Sequence, residues 1–297
     1  MLAARLQVLL AALCFATTGT ARALGPDDLK PVDAGAARIL VGGALLVAVA
    51  RLVRDGSRRR PTRGPVLVAA AGVAAYQLAF FAAVADTGVA VGTIVALGSA
   101  PALTGALEWG VTRRRAARRW VIATALAAAG VAILLRAGAA AGTGVSAPGV
   151  ALAVAAGASY ATYTLAAKRL LSDGHAPERV MGAAFGLGAL ALLPVLLLDR
   201  PDALLSPGGI ALAGFLGVVP TALGYVLFSR GLRRLTAAET STLTLAEPLT
   251  AGLLGAAVLG EHLTALSGLG AGLVLAGLLG LAVRLPRRPP ALASEAT

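Results

Sequence analysis

Glu247 and Pro248 stand together in TLTLAEPLTAGLLGAAVLGE, residues 242–261, where every other position up to Gly260 is Leu, Ala, Gly, Thr or Val. The pair joins a titratable carboxyl to an interruption of the backbone ladder. Proline has no N–H, so the Thr244 carbonyl four residues earlier loses its helical partner, and a kink is expected there. Pro101 would free the Leu97 carbonyl in the same way within VGTIVALGSAPALTGALEWG, where Ala100 takes the place of the glutamate. A carboxyl in a poorly hydrated interior can take up and release a proton near neutral pH, which makes Glu247 a candidate for proton coupling. The bland alternative is a protonated acid hydrogen-bonded inside the fold.

Other polar side chains within apolar runs are weaker candidates for a substrate path. Arg38 could meet an anionic group or extend to an interface. Tyr76, Gln77, Tyr160, Tyr163 and Tyr225 could orient a ligand, or serve packing and interfacial anchoring. Glu108, beside Trp109, is expected to pair with the arginines that follow it, and Glu261 to cap or gate an external turn. The single cysteine, Cys14, and two histidines, His175 and His262, assemble neither a disulfide framework nor a Cys/His metal cluster. There is no phosphate-binding glycine loop and no H-E-x-x-H. We therefore expect no enzymatic activity, no metal and no cofactor.

What must position these residues is a bundle of membrane helices. Hydrophobic residues make up 58% of the 297 positions and charged ones 13%, with a mean hydropathy of +0.82. That balance lies outside ordinary soluble domains and marks a polytopic membrane protein. A spanning helix needs about 20 apolar residues. Ten such runs are legible, at 5–24, 33–53, 65–85, 88–111, 119–136, 148–168, 178–198, 208–230, 237–259 and 264–284. ADTG and EHLT are tight connections, so the helices on either side of each are expected to be antiparallel neighbours.

Lys and Arg alternate with these runs. The connections after runs two, four, six and eight, with the two termini, hold 21 of the 26 basic residues. The positive-inside rule then sets both termini in the cytoplasm. A net charge of +12 is thereby accounted for without nucleic acid, because SRRRPTR and TRRRAARR lack the aromatic residues that stack on bases. A signal-peptide reading of the first run, with a small-residue site at Ala21-Arg22-Ala23, would leave nine spans and destroy the symmetry that follows.

Offsetting the chain by 147 residues lays Pro101 on Pro248, Phe81 on Phe228 and Gly130 on Gly277. Each half holds five runs. An odd number reverses the direction of entry, so the fold class expected is an all-α integral membrane protein of ten transmembrane helices in two inverted five-helix repeats, a transporter design. The repeats are 1–136 and 148–284, with an external linker at 137–147 and a cytoplasmic tail at 285–297. Gly182 with Gly186, and Gly268 with Gly272, are spaced for close helix approach.

The block YQLAFFAAVADTGVAVGTIVALGSAPALTGALE and the block LTAAETSTLTLAEPLTAGLLGAAVLGEHLTALSGLGAGLVLAG resemble the EamA branch of the drug/metabolite transporter superfamily. One departure is Arg114, which the offset sets opposite Glu261 where an acid is frequent. The resemblance implies a ten-helix carrier, often an exporter of amino acids, metabolites or toxic compounds. The function expected is secondary active transport of a small organic solute across a bacterial cell membrane, with protons as the candidate coupling ion. A passive channel or a non-transporting scaffold is the alternative. The 24 Arg against two Lys, with abundant Ala and Gly, point to a GC-rich bacterial genome.

Overall fold

Apolar runs of Leu, Val, Ala and Gly have no water to bond within a bilayer, so each must close its backbone hydrogen bonds internally. The computed structural model describes residues 1–53, 62–113, 117–138, 146–260 and 265–282, all of its regular structure helical. Asp55, Arg114, Glu261, residues 139–145 of the linker and the tail at 285–297 lie outside the described residues. The helices are α1 (Leu2–Ala23), α2 (Pro31–Leu52), α3 (Arg63–Thr112), α4 (Arg118–Gly138), α5 (Ala147–Ser172), α6 (Pro177–Asp199), α7 (Pro207–Leu216), α8 (Gly224–Arg234), α9 (Ala237–Leu243), α10 (Ala246–Leu259) and α11 (Ala265–Ala282). Among the described residues, seven stretches are long and apolar enough to cross a membrane, and Gly268–Gly280 is a shorter apolar one.

The ADTG connection is tight enough that helical turns are assigned without a gap from Arg63 to Thr112. A straight helix would separate residues eight apart by roughly 12 Å. Instead, a methyl group built on Gly92 would stand 3.1 Å from the Val84 side chain. The element therefore folds back between them. Gly72 in its first arm meets Ser159 and Tyr163 of α5, while Ala96 in its second arm meets Gly157. Both arms thus lie along α5, in opposite directions.

A departure from regular α-helix lies between α7 and α8. The apolar run containing Pro220 is interrupted by a π segment, Gly217–Leu223, in which the Thr221 hydroxyl bonds to the Leu216 carbonyl at 2.8 Å. Such widened turns frequently sit at functional sites. This one packs on α2, where Gly217 abuts Val41.

Contacts recur at the 147-residue offset. A methyl on Gly130 of α4 would meet the Gly270 carbonyl and the Val274 amide of α11, each at 2.6 Å, and one on Gly277 would meet the Ala123 carbonyl at 2.6 Å and the Ala127 amide at 2.9 Å. Residues 123, 127 and 130 correspond by the offset to 270, 274 and 277, so the contact between α4 and α11 is reciprocal. Gly217 against Val41 is matched likewise by Gly188 against Ala70. Gly182 packs on Leu46 and Ala50, as its spacing suggested, whereas Gly268 and Gly272 face open space. Gly130→Leu and Gly277→Leu should each destabilise the protein by about 1–3 kcal/mol through backbone clash. Thermal unfolding in detergent would check this, with Gly268→Ala as the unchanged control.

Candidate functional site

Pro248 does not kink a continuous helix. The chain turns at Thr244 and Leu245 and starts again as α10, with Glu247 and Pro248 in its first turn. Those N–H groups have no intrahelical partner in any case, so a proline loses nothing there, and a carboxylate is favoured by the helix dipole. The Thr244 carbonyl is not left free either, because it accepts the Glu247 N–H at 2.9 Å. The residue pair therefore marks a helix start within a single membrane-spanning stretch, Ala237–Val258. Pro101, by contrast, lies inside the helical run of α3.

This break borders a small, partly enclosed cavity of about 50 Å³. From the second half of the chain, Tyr160, Tyr225, Ser241, Thr244, Leu245 and Glu247 line it. From the first half come Phe15, Arg38, Tyr76, Leu97 and Ala100. Ala100 and Glu247, the residues preceding the two prolines, thus face one space. Tyr160 and Thr244 join their hydroxyls across it at 3.3 Å, and the Thr244 hydroxyl also bonds to the Thr240 carbonyl at 2.9 Å.

Gln77, Tyr163, Pro101 and Pro248 do not line the cavity. Gln77 is buried behind Arg38: its amide oxygen accepts from Arg38 Nη2 at 3.3 Å, and its amide nitrogen donates to the Gly35 carbonyl at 3.0 Å. Tyr163 belongs to an aromatic cluster, with Phe228 stacked at 6.1 Å and Phe185 edge-on at 6.0 Å between ring centres. Phe15, Leu97 and Leu245, which also line it, had no distinguishing sequence signal, since apolar residues abound. Ser241 alone offered one, as the single serine among the threonines entering the helix break.

The layer between the cavity and the end carrying Arg5 is closed by contacts joining the two halves. Trp120 Nε1 donates to Thr242 Oγ1 at 3.1 Å, and Thr124 meets the same hydroxyl at 2.8 Å. Beyond them Arg5 and Glu239 form an ion pair at 2.6 Å. Glu108 takes no arginine among the described residues. Its carboxylate spans instead to the start of α9, accepting the Ala238 N–H at 2.9 Å and the Ala237 N–H at 3.3 Å. Two orphan donors of a helix start make a better-directed partner for a carboxylate than solvated arginines do.

The EamA-like transporter family model matches residues 2–136 and 147–283. The chain belongs to the EamA-like transporter family. An uncharacterized transporter of Bacillus subtilis (strain 168), YwfM, is 38% identical over 274 residues, 92% of each chain. An uncharacterized transporter of Archaeoglobus fulgidus is 39% identical over 122 residues, 41% of this chain and 43% of that protein. A crystal structure with 20% sequence identity superposes with a TM-score of 0.79, covering 94% of this chain and 96% of the other, and so shares its fold. The EamA-like chain is accordingly a multi-pass membrane transporter, not an enzyme, whose partners are a small-molecule substrate and the lipid bilayer.

Proposed function

We propose that this EamA-like protein is a secondary active carrier that exports a small organic solute, with the cavity between Arg38 and Glu247 as its substrate site and Glu247 as the proton-coupling group. The observation that carries the reading is the cavity itself, which joins a cation, a carboxyl and three tyrosines from both halves of the chain at a helix break. Irregular backbone and intramembrane charge are tolerated where they border a substrate path. The reciprocal glycine contacts and the two matched segments support ten spans in two inverted repeats, with 137–147 linking 1–136 to 148–284 and 285–297 as the tail. Such repeats alternate access by rocking about a central site.

Counterflow tests the reading. Proteoliposomes filled with an unlabelled bacterial metabolite extract are placed in the same extract labelled with ¹³C. A carrier accumulates particular labelled solutes transiently and saturably, a pore equilibrates without overshoot, and a scaffold passes nothing.

The orientation proposed, with both termini cytoplasmic in a bacterial inner membrane, has its own test. In a background with Cys14 replaced, cysteines at the exposed positions Asp28 and Asp202 should react with an impermeant thiol reagent outside intact cells, and those at Thr112 and Thr236 should not. Strong external labelling of the second pair would reverse the orientation.

A further inference from the structure

A groove of about 490 Å³ runs between α2 and α6, away from the substrate cavity. Leu40, Ala44 and Val47 of α2 line one side, and α6 supplies the other between Gly182 and Leu193, without one polar side chain. The two helices approach closely along it, because Gly182 meets Leu46 and Ala50, and Gly186 meets Val47. Leu187 and Leu190, 38% and 65% exposed, stand at its rim. From Gly182 to Leu193 an α-helix rises roughly 16 Å, about half the hydrocarbon core of a bilayer. That length and polarity suit one acyl chain.

One end of the groove is basic. Arg51 lies four residues beyond Val47 in the last turn of α2, and Arg179 lies four residues before Ala183 in the first turn of α6. Each therefore continues the lining face of its helix by one turn. Both are exposed. Arg179 Nε donates to the Val53 carbonyl at 2.9 Å, which ties the two helix ends together and leaves its terminal nitrogens without a partner among the described residues. The adjacent carboxylate does not neutralise it, because Glu178 is held by Arg230 at 2.6 Å. Among the described residues no salt bridge takes up Arg51 either.

We infer that this groove is a binding site for an anionic phospholipid, with one acyl chain laid between α2 and α6 and the phosphate held by Arg51 and Arg179. A guanidinium fork matches phosphate oxygens, and basic residues at the cytoplasmic end of membrane helices attract anionic lipid. The basic end of the groove is the end that carries Arg5, the one proposed above as cytoplasmic. A second copy of the chain fits this face less well. Two copies in one membrane share an orientation, so a two-fold axis along the membrane normal would set four arginines against one another, and like charges meeting at an interface are costly. An anionic head group neutralises them instead. The site is separate from the substrate cavity and independent of which solute the carrier moves.

The test uses the full-length protein in vesicles of dioleoyl phosphatidylcholine with increasing fractions of dioleoyl phosphatidylglycerol, each lipid brominated in turn. Bromine quenches a nearby tryptophan, so Leu190→Trp reports which lipid occupies the groove once the signal of the unsubstituted protein is subtracted. Phosphatidylglycerol should be preferred there by about tenfold, and should show no preference at Leu253→Trp on α10, a position 54% exposed. Arg51→Gln combined with Arg179→Gln should bring the ratio at Leu190→Trp to about one. Ala44→Phe fills the groove from an exposed position, keeps both arginines and should at least halve the ratio. A ratio near one at Leu190→Trp, the same preference at Leu253→Trp, or a preference that survives the loss of both arginines would overturn the site. A preference unmoved by Ala44→Phe would mean head-group capture with no chain in the groove, and would overturn it too. Weak quenching by both lipids, with a dimer mass in detergent, would give the face to a second copy instead.

Discussion

Glu247→Gln is expected to insert and fold normally but to lose uphill transport driven by a pH gradient, the accumulation ratio falling to about one, while solute exchange persists. The substitution keeps the side chain's size and its hydrogen-bonding capacity, and removes only titration. The carboxyl faces the cavity with Arg38, Tyr76, Tyr160 and Tyr225 around it, and it is the one carboxyl in that lining. A proton taken up there would neutralise a charge in the cavity that Arg38 also lines. Protonation and solute binding at one cavity are then linked, which is the form that coupling takes when one site serves both. Transport by proteoliposomes under an imposed pH gradient, with and without added substrate in the lumen, measures both activities. If the Gln variant still concentrates solute with an unchanged pH dependence, Glu247 is not the coupling group and its role is substrate orientation or packing.

Glu108→Ala is expected to open the end of the bundle that carries Arg5. The Glu108 carboxylate, on the second arm of α3, holds the first two N–H groups of α9 across the boundary between the halves of the chain. Arg5 and Glu239 bridge α1 to α9 beside it. Losing a helix-capping group costs about 0.5–2 kcal/mol, and since 1.4 kcal/mol is a factor of ten, the population open at that end should rise about tenfold. A cysteine at Ser241, buried in the cavity wall below these contacts, reports it: labelling by an impermeant thiol reagent in inside-out vesicles should accelerate by about that factor. Adding Arg5→Ala should increase the effect further. If Glu108→Ala lowers the unfolding midpoint and leaves the labelling rate at Ser241 unchanged, the contact is a structural cap and not a gate.

The solvent, the helical class and the setting of Glu247 within an apolar segment were all legible in the chain. Each is a property of a single segment. Twenty apolar residues require a membrane helix whatever surrounds them, because unsatisfied peptide groups in hydrocarbon are too costly. The reciprocal packing of Gly130 and Gly277 was half legible too, since an internal offset relates residues of one type before any contact is known. The local chemistry around Pro248 was less so. Composition indicated a proline within a helix, but not that the chain would break at Thr244 and Leu245 and reuse the proline inside a new first turn, with Glu247 donating its own N–H to the carbonyl thought to be free. That choice depends on the halves packed around the break. Likewise Gln77 and Tyr163 are polar residues on apolar helices, alike to any reading by segment, yet one holds Arg38 and the other packs in an aromatic cluster. Ser241 and Glu108 acquire their places only from helices distant in the chain, Ser241 lining a cavity with Arg38 and Glu108 reaching the start of α9. Burial and helix formation follow from local composition because the bilayer acts on each segment separately. Which side chains converge depends on helix rotation and register, and those are decided by close packing between segments far apart in sequence.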